Sequence, residues 1–478
     1  MKNPSPEKQK KLIEKQKKEL MRLKKEQGRS PILHSFFFVL VILTVIYAAD
    51  EIMSNMGVMK TYMIFDLFNI RNADTTAPAY EKAISLMAVA AIPTNILTAV
   101  NPLYRSLSDK LGRKLFLVLN ILGMALGLFV CAISPNIYVF VIGTCIIGFF
   151  SPNDMQVIYL METAPKEHRA KLCSITKGIG LLSVSLVGVF RSMFYNPEVL
   201  STWRLVYIMP IVIAVAASVA AALLVKESPV FLKKRIGYLE GQLSAEMAGE
   251  AVDLAKEETT EKKEKGGLKA ALHFLLHDRQ VRRIAIVLMV FSVGLGMAGY
   301  SQEIMLAPGY MTDDDVNLFY VLEPIFYALF SLGSGFITDK LGRKKGGFIF
   351  GLAAIAGQML FVFGARAGFG PVALSLSLAF MLGGMWSLSD LLFVMLPAES
   401  APTVIRASVM ALISYTYVTC ILTGIVVGVL YDKIGSANIG VFQMCFFVPI
   451  MLFSILFLMF KVRETKNIDM QAIKGEEE

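Results

Sequence analysis

Apolar residues in this 478-residue chain gather in blocks of about 20, and no other feature restricts its fold so severely. At 1.5 Å per residue, a helix of that length crosses the ~30 Å of hydrocarbon in a bilayer. Lipid offers backbone groups no hydrogen-bonding partner, so each block must be helical. Twelve such blocks are expected: 32–54, 83–106, 115–134, 136–161, 170–194, 203–225, 282–305, 316–338, 346–366, 371–397, 407–431 and 438–461. They are numbered below as spans 1 to 12. Only 18% of residues are charged, where a soluble protein carries about 25%, and the mean hydropathy is +0.58. The class expected is therefore an all-α, multi-pass membrane protein.

The net charge of +9 would suit nucleic acid or anionic lipid, but its placement argues against nucleic acid. Residues 1–30 hold 11 Lys/Arg against 4 Glu, a basic tail beside the first span. Leu12, Ile13, Leu20 and Leu23 give it a thin apolar stripe, so it is either an amphipathic helix on anionic headgroups or a solvated tail. Lys110, Arg113 and Lys114, then Lys166, Arg169 and Lys171, then Lys340, Arg343, Lys344 and Lys345 fill loops on one side, and Asp313–Asp315 lie on the other. The positive-inside rule puts the basic loops and both termini in the cytoplasm of a plasma (bacterial inner) membrane. The first block is too long for a signal-peptide core and is expected to stay as span 1. The organisation expected is a basic tail (1–30), a six-helix bundle (31–226), a cytoplasmic connection (227–280), a second six-helix bundle (281–462) and a short tail (463–478). The five cysteines show no metal-ligand spacing, and neither metal nor cofactor is expected.

Three motifs occur twice, in the same order. SDKLGRK (108–114) returns as TDKLGRK (338–344); Glu162-Thr-Ala-Pro…Arg169 returns as Glu399-Ser-Ala-Pro…Arg406; Lys226-Glu227-Ser228 returns as Arg463-Glu464-Thr465. Each copy falls at the basic end of an equivalent span, which indicates duplication of a six-helix unit with a site between the halves. Gly112 and Gly342 suit a tight turn with positive φ. Asp109 and Asp339 are expected at a helix N-terminus, facing its unpaired N–H groups. Arg113 and Arg343 suit bidentate bonds to carboxylates, with Glu162, Glu227, Glu399 and Glu464 as acceptors.

On these motifs the chain resembles the major facilitator superfamily, and within it the sugar-porter and metabolite–proton symporter branch. The resemblance implies that the charged pairs latch the cytoplasmic side when the outer side is open; the plainer alternative is that they only set topology. The second half has Gly335 four residues before its loop Asp, where the first half has Arg105.

Ionisable groups inside the spans are functional candidates by default, because each is costly in hydrocarbon unless paired or wet. Lys177 lies about 12 Å into span 5, and Asp154 in span 4 is its possible partner, as a releasable or a fixed pair. Asp50 and Glu51 in span 1, Glu303 in span 7 and Glu323 in span 8 form an outer group, one of which would carry a proton. Adjacent helical residues differ by about 100°, so only one of Asp50 and Glu51 points fully inward; Asp50, with Tyr47 one turn below, is favoured. Glu303 sits near the end of its span, where solvation is the competing reading. Asp390 roughly answers Asp154, one residue out of the repeat offset, and Trp386 one turn before it either stacks on a substrate or packs. Asn95, Asn153 and Gln302 are polar lining candidates, and Arg191 is expected to snorkel outward.

The resemblance implies that hexose carriers of this branch have a glutamine-rich stretch in span 7, a glutamine in span 5 and Gly-Pro-x-x-Trp in span 10. This chain has SVGLGMAGYSQEIM (292–305), Lys177 and MLGGMWSLSD (381–390) there. The expected function is proton-coupled movement of a small polar organic metabolite, with Lys177 suited to an organic anion. The partners are substrate, protons and lipid, and a monomer is expected. Proton-antiport efflux of drugs or toxic metabolites through the Met- and Phe-rich spans is the alternative. A non-transporting membrane sensor comes third, and no constellation supports an enzyme.

Overall fold

The computed structural model describes residues 6–28, 36–70, 74–151, 155–164, 169–247, 270–402 and 405–466. The chain is 87% helix, with no strand among the described residues. Eleven helices are long and apolar enough to cross a membrane, and a twelve-span count is consistent with the fold. The remaining span, span 2, runs as two helices, Pro78–Ala90 and Ile92–Ser106. Pro93 cannot donate to the carbonyl four residues back and its ring crowds that carbonyl, so the helix is interrupted just before it.

The other spans are Phe36–Ser54, Arg113–Ala132, Ile137–Phe150 with Met155–Thr163, Arg169–Ser183 with Ser185–Phe194, Ile208–Leu224, Arg279–Met297, Asp313–Leu341, Arg343–Arg366, Pro371–Ser400, Ser408–Val429 and Ser436–Lys461. Local chemistry sets several starts. Asn136 accepts the N–H groups of Tyr138 and Val139, both at 3.1 Å, at the start of span 4. At span 8, Thr312 and Asp315 satisfy each other's backbone donors as a capping box. Span 10 widens into a π turn at Leu391–Met395, just after Asp390. Pro397, lacking an N–H to bond Phe393, explains why the helix loosens there.

On the basic face, helix Pro6–Gly28 turns the end of its apolar stripe onto the protein. Leu20 and Leu23 pack on Phe231, Leu232 and Ile236 of helix Pro229–Met247. Lys24–Glu240 at 2.7 Å and Arg235–Glu19 at 2.9 Å flank the contact. On the opposite, far face, helix Lys60–Leu67 is held to the start of span 6 by Asp66, which accepts from the Trp203 indole at 2.9 Å and pairs with Arg204. Its Met63, Ile64 and Phe65 are buried, and Phe68 at its end is half-buried against the same core.

Candidate functional site: an inter-half cavity closed on its far face

The two halves touch on the far face. Gly188 of span 5 lies so close to span 8 that a Cβ there would stand 2.8 Å from the Val321 backbone nitrogen. Arg191, one turn on, is 1% exposed. Its guanidinium donates to Tyr62 Oη at 2.7 Å, to the Asp313 carboxylate at 2.8 Å and carbonyl at 3.2 Å, and to Asn317. The expected snorkelling arginine is instead a buried bridge between halves, because four oxygens inside the protein replace water. Glu303 is likewise buried, at 1% exposure, rather than solvated. Lys60 pairs with it at 2.7 Å across the halves, Tyr80 donates to it at 3.3 Å, and the Lys60 ammonium lies 4.8 Å from the Tyr300 ring centre. Glu81 accepts the Ser436 N–H at 2.7 Å, a third link between the halves. Gln302 does not line a cavity: its amide donates to the Val58 carbonyl at 2.9 Å.

Toward the basic face the halves part, and span 5 shows it. Ile175, Ile179, Leu182, Leu186 and Val189 form one exposed apolar stripe, the lipid side. Lys177 is also exposed, yet two residues from Ile175 puts it roughly 200° round the helix. It shares a face with Gly188, eleven residues and about 16 Å away. That face is packed at Gly188 and open at Lys177, so Lys177 looks into the gap between the halves. Among the described residues nothing bonds to its ammonium. Asn153 and Asp154 lie outside the described residues, so the Lys177–Asp154 pair does too.

Span 8 carries the facing wall. Leu318, Leu329 and Phe336 mark its lipid side, and Glu323 lies five residues from Leu318, roughly 140° round. Glu323 is half-buried, and its Oε1 is buried without a hydrogen-bond partner among the described residues. Tyr327, one turn below, is within electrostatic reach of Glu323, of Glu51 on span 1 and of Asp390 on span 10. Asp390 and Trp386 are both exposed, one turn apart. A charge exposed at mid-membrane belongs to a wet cavity rather than to lipid. Carboxylates from three spans therefore lie within electrostatic reach of one tyrosine, with Lys177 nearer the basic face.

The favoured inward residue of span 1 changes. Asp50 is 6% exposed and accepts from the Gln156 amide of span 4 at 3.1 Å, inside its own half, while Glu51 is the one in reach of the other half. Tyr47 is buried against Gly180, and Asn95 is half-buried in span 2. Lys60, Tyr62, Tyr80, Glu81, Gln156 and Tyr327 escaped the sequence reading. Most are uncharged or lie outside the spans, and only their meeting across the halves marks them.

The duplicated motifs build two matching staples, each within one half. Arg113 pairs with Glu162 at 3.2 Å, and Arg343 with Glu399 at 2.8 Å. Ser228 donates to Glu162 as Thr465 does to Glu399. Glu227 accepts the N–H groups of Arg113 and Lys114 at 2.9 and 3.0 Å, and Glu464 those of Arg343 and Lys344 at 2.9 and 3.0 Å. These glutamates neutralise the helix N-termini, and in the second half they do so in place of the loop aspartate. Asp339 sits in the last turn of span 8, largely exposed, 3.3 Å from Arg343. The cause is the turn: Gly112 and Gly342, at φ 113° and 94°, reverse the chain and leave Asp339 behind the new helix start. The side chains of Asp109, Arg169 and Arg406 lie outside what the structure describes. Burial pushes Glu227 above the ordinary glutamate range despite its backbone donors. Glu464 is less buried, and its backbone donors outweigh desolvation and hold it below that range.

Two six-helix halves, joined on one face and parted on the other around a charged cavity, define a secondary transporter of the major facilitator fold. A family profile described as sugar (and other) transporter matches residues 42–476, and the chain belongs to that family. It is a transporter and not an enzyme. It is 27% identical over 326 residues to the glucose transporter GlcP of Staphylococcus epidermidis, covering 64% of this chain and 71% of that one. It is 28% identical over 256 residues to the arabinose-proton symporter of Bacillus subtilis, covering 50% and 54%. Among solved structures, the D-xylose-proton symporter superposes with a TM-score of 0.64 at 18% identity, covering 90% of this chain and 99% of that one. The partially occluded, inward-open xylose transporter XylE from E. coli gives 0.62 at 18%, covering 91% and 99%. At that identity the structures speak for the fold alone.

Proposed function

We propose that this protein couples proton movement to transport of a sugar-sized polar metabolite bearing a carboxylate, by rocking its halves about the cavity. The observation that carries the substrate class is Lys177: an ammonium on the cavity side of span 5, unbonded among the described residues. An unpaired charge at that depth is costly, and an anionic substrate group would offset the cost on binding. Proton coupling is supported by the carboxylates around Tyr327 and by two relatives named as proton symporters, from Bacillus subtilis and Arabidopsis thaliana. The basic loops support a plasma-membrane orientation with the basic face and both termini in the cytoplasm, so the cavity opens inward.

The test is uptake into proteoliposomes of D-glucuronate and D-glucose, which share a ring and differ by one carboxylate. The proposal expects D-glucuronate to be preferred, and an inward acid gradient to drive its accumulation. Lys177→Gln should lower that preference at least tenfold, about 1.4 kcal/mol. Equal transport of both sugars, unchanged in Lys177→Gln, would remove the anion from the reading. Export of lipophilic cations would favour the efflux alternative.

A further inference from the structure

We propose that Glu323 is the residue that binds and releases the coupling proton, in place of the span 1 carboxylate that the sequence favoured. The inference rests on the proton-coupled reading above and assigns it to one side chain.

A proton carrier in a membrane transporter needs three properties. It must lie inside the span, reach the cavity in at least one state, and lack a fixed cation that would hold it ionised. Among the described residues, Glu303 and Asp50 fail one of these, and Glu51 and Asp390 differ from Glu323 in having partners of their own. Glu303 is locked to Lys60 at 2.7 Å, outside the cavity, on the closed far face. Asp50 is buried within its own half and holds Gln156. Glu51 and Asp390 reach the cavity, but both have further interactions within the protein. Glu323 points away from lipid, is half-buried, and keeps Oε1 sealed with no donor among the described residues.

Among the described residues its surroundings offer no fixed counter-charge. On its own helix stand Tyr320 and Tyr327, one turn to either side. Glu51 and Asp390 approach Tyr327 from spans 1 and 10, so any charge they carry is of the same sign as an ionised Glu323. On span 5, Arg191 and the far-face Glu303 are felt by Tyr320, but the Arg191 guanidinium is spent on Asp313, Asn317 and Tyr62. Lys177 lies toward the basic face. Gly188 meets span 8 at Tyr320 and Val321, and Gly178 meets it at Leu332, which sets Lys177 about 14 Å from the level of Glu323. With the cavity sealed, Oε1 meets no donor among the described residues; with the cavity wet, water reaches the carboxyl. The step is proton gain from water on one side and proton loss to water on the other.

Glu323 also sits beside the close contact between spans 5 and 8. Two residues before it, Val321 packs on Gly188, and Pro324 follows it inside the helix. Pro324 frees the Tyr320 carbonyl from its helical bond and removes a rung of the helix. Protonation at Glu323 therefore acts between the two places where span 8 meets span 5, at Gly188 and at Gly178.

Two measurements on the purified full chain test this. Infrared difference spectra between acidic and alkaline buffer should contain the carbonyl stretch of a buried carboxylic acid, absent in Glu323→Gln and shifted but retained in Glu323→Asp. In proteoliposomes, Glu323→Gln should exchange D-glucuronate across the membrane yet lose acid-driven accumulation more than tenfold, and Glu323→Asp should recover part of it. An infrared band unchanged in Glu323→Gln, or coupling that survives there and is lost in Glu51→Gln or Asp390→Asn, overturns the assignment. A titrating Glu323 band in a wild type whose transport ignores the acid gradient sinks the proton-coupled reading instead.

Discussion

The two faces of this transporter use the same chemistry for opposite purposes. On the basic face, arginine–glutamate pairs join helices of one half: Arg113 to Glu162, Arg343 to Glu399. On the far face, Lys60 to Glu303 and Arg191 to Asp313 join one half to the other. A bond within a half survives when the halves rotate as rigid bodies; a bond between them breaks. The basic-face pairs are intact while the far face is closed and the basic side is parted. With the far face closed they act as staples within each half, and the ion pairs that join the halves lie on the far face.

The strongest way to break this comparison is Lys60→Met. It leaves the Glu303 carboxylate buried without its cation, a loss of about 3 kcal/mol from the closed state, or on the order of a hundredfold in the open-to-closed ratio. Spin labels at exposed Ser192 and Asn438 should report wider far-face separations, and adding Glu303→Gln should restore closure. No change in separation would mean that the cross-half pair is not a latch.

Next in size is Gly342→Ala. A Cβ there would stand 2.8 Å from Glu464 Oε2, at backbone angles of φ 94° and ψ 169° that essentially only glycine adopts. Thermal unfolding should register a loss of about 1–3 kcal/mol, with the spin-label separations unmoved. Gly112→Ala should behave alike, since its Cβ would meet Glu227 at 2.4 Å. A shift in separation without destabilisation would turn the staples back into latches.

The smallest effect sharpens the contrast between the two staples themselves. Glu227 is raised above 4.5, so its contribution is present below that value and lost as pH rises through its higher folded value. Glu464 is lowered, so its contribution is present above 4.5 and lost as pH falls through its lower folded value. Amide hydrogen exchange, corrected for intrinsic rates, should show protection at Arg113 and Lys114 strengthening on mild acidification. Protection at Arg343 and Lys344 should weaken only at the acid end. Parallel responses would erase the difference in burial between the two sites.

Much of the fold was legible because hydrocarbon permits so few solutions: a block of apolar residues must be a helix, and a repeated motif must sit at equivalent helix ends. Span 2 was legible as a block, and its interruption follows from Pro93, a local cause that the block pattern alone did not single out. The duplicated residues Arg113, Glu162, Glu227 and their counterparts were readable as a set, whereas the exchange of Asp339 for Glu464 at the helix start was not, since it turns on the direction the chain takes after a positive-φ glycine. In the cavity, Lys177, Glu323 and Asp390 stood out because charge in a span is rare. Which of Asp50 and Glu51 faced the other half did not, because neighbours on a helix are distinguished only by what surrounds them.

The amino-acid sequence by itself determined the membrane class, the duplication and the basic face, since each depends on composition or on residues near one another in the chain. The tertiary structure alone decided which charges are partners. Lys60 and Glu303, or Arg191 and Asp313, are separated by more than a hundred residues and carry no shared motif. Their pairing is a consequence of how two rigid halves meet, and that geometry exists only once the chain has folded.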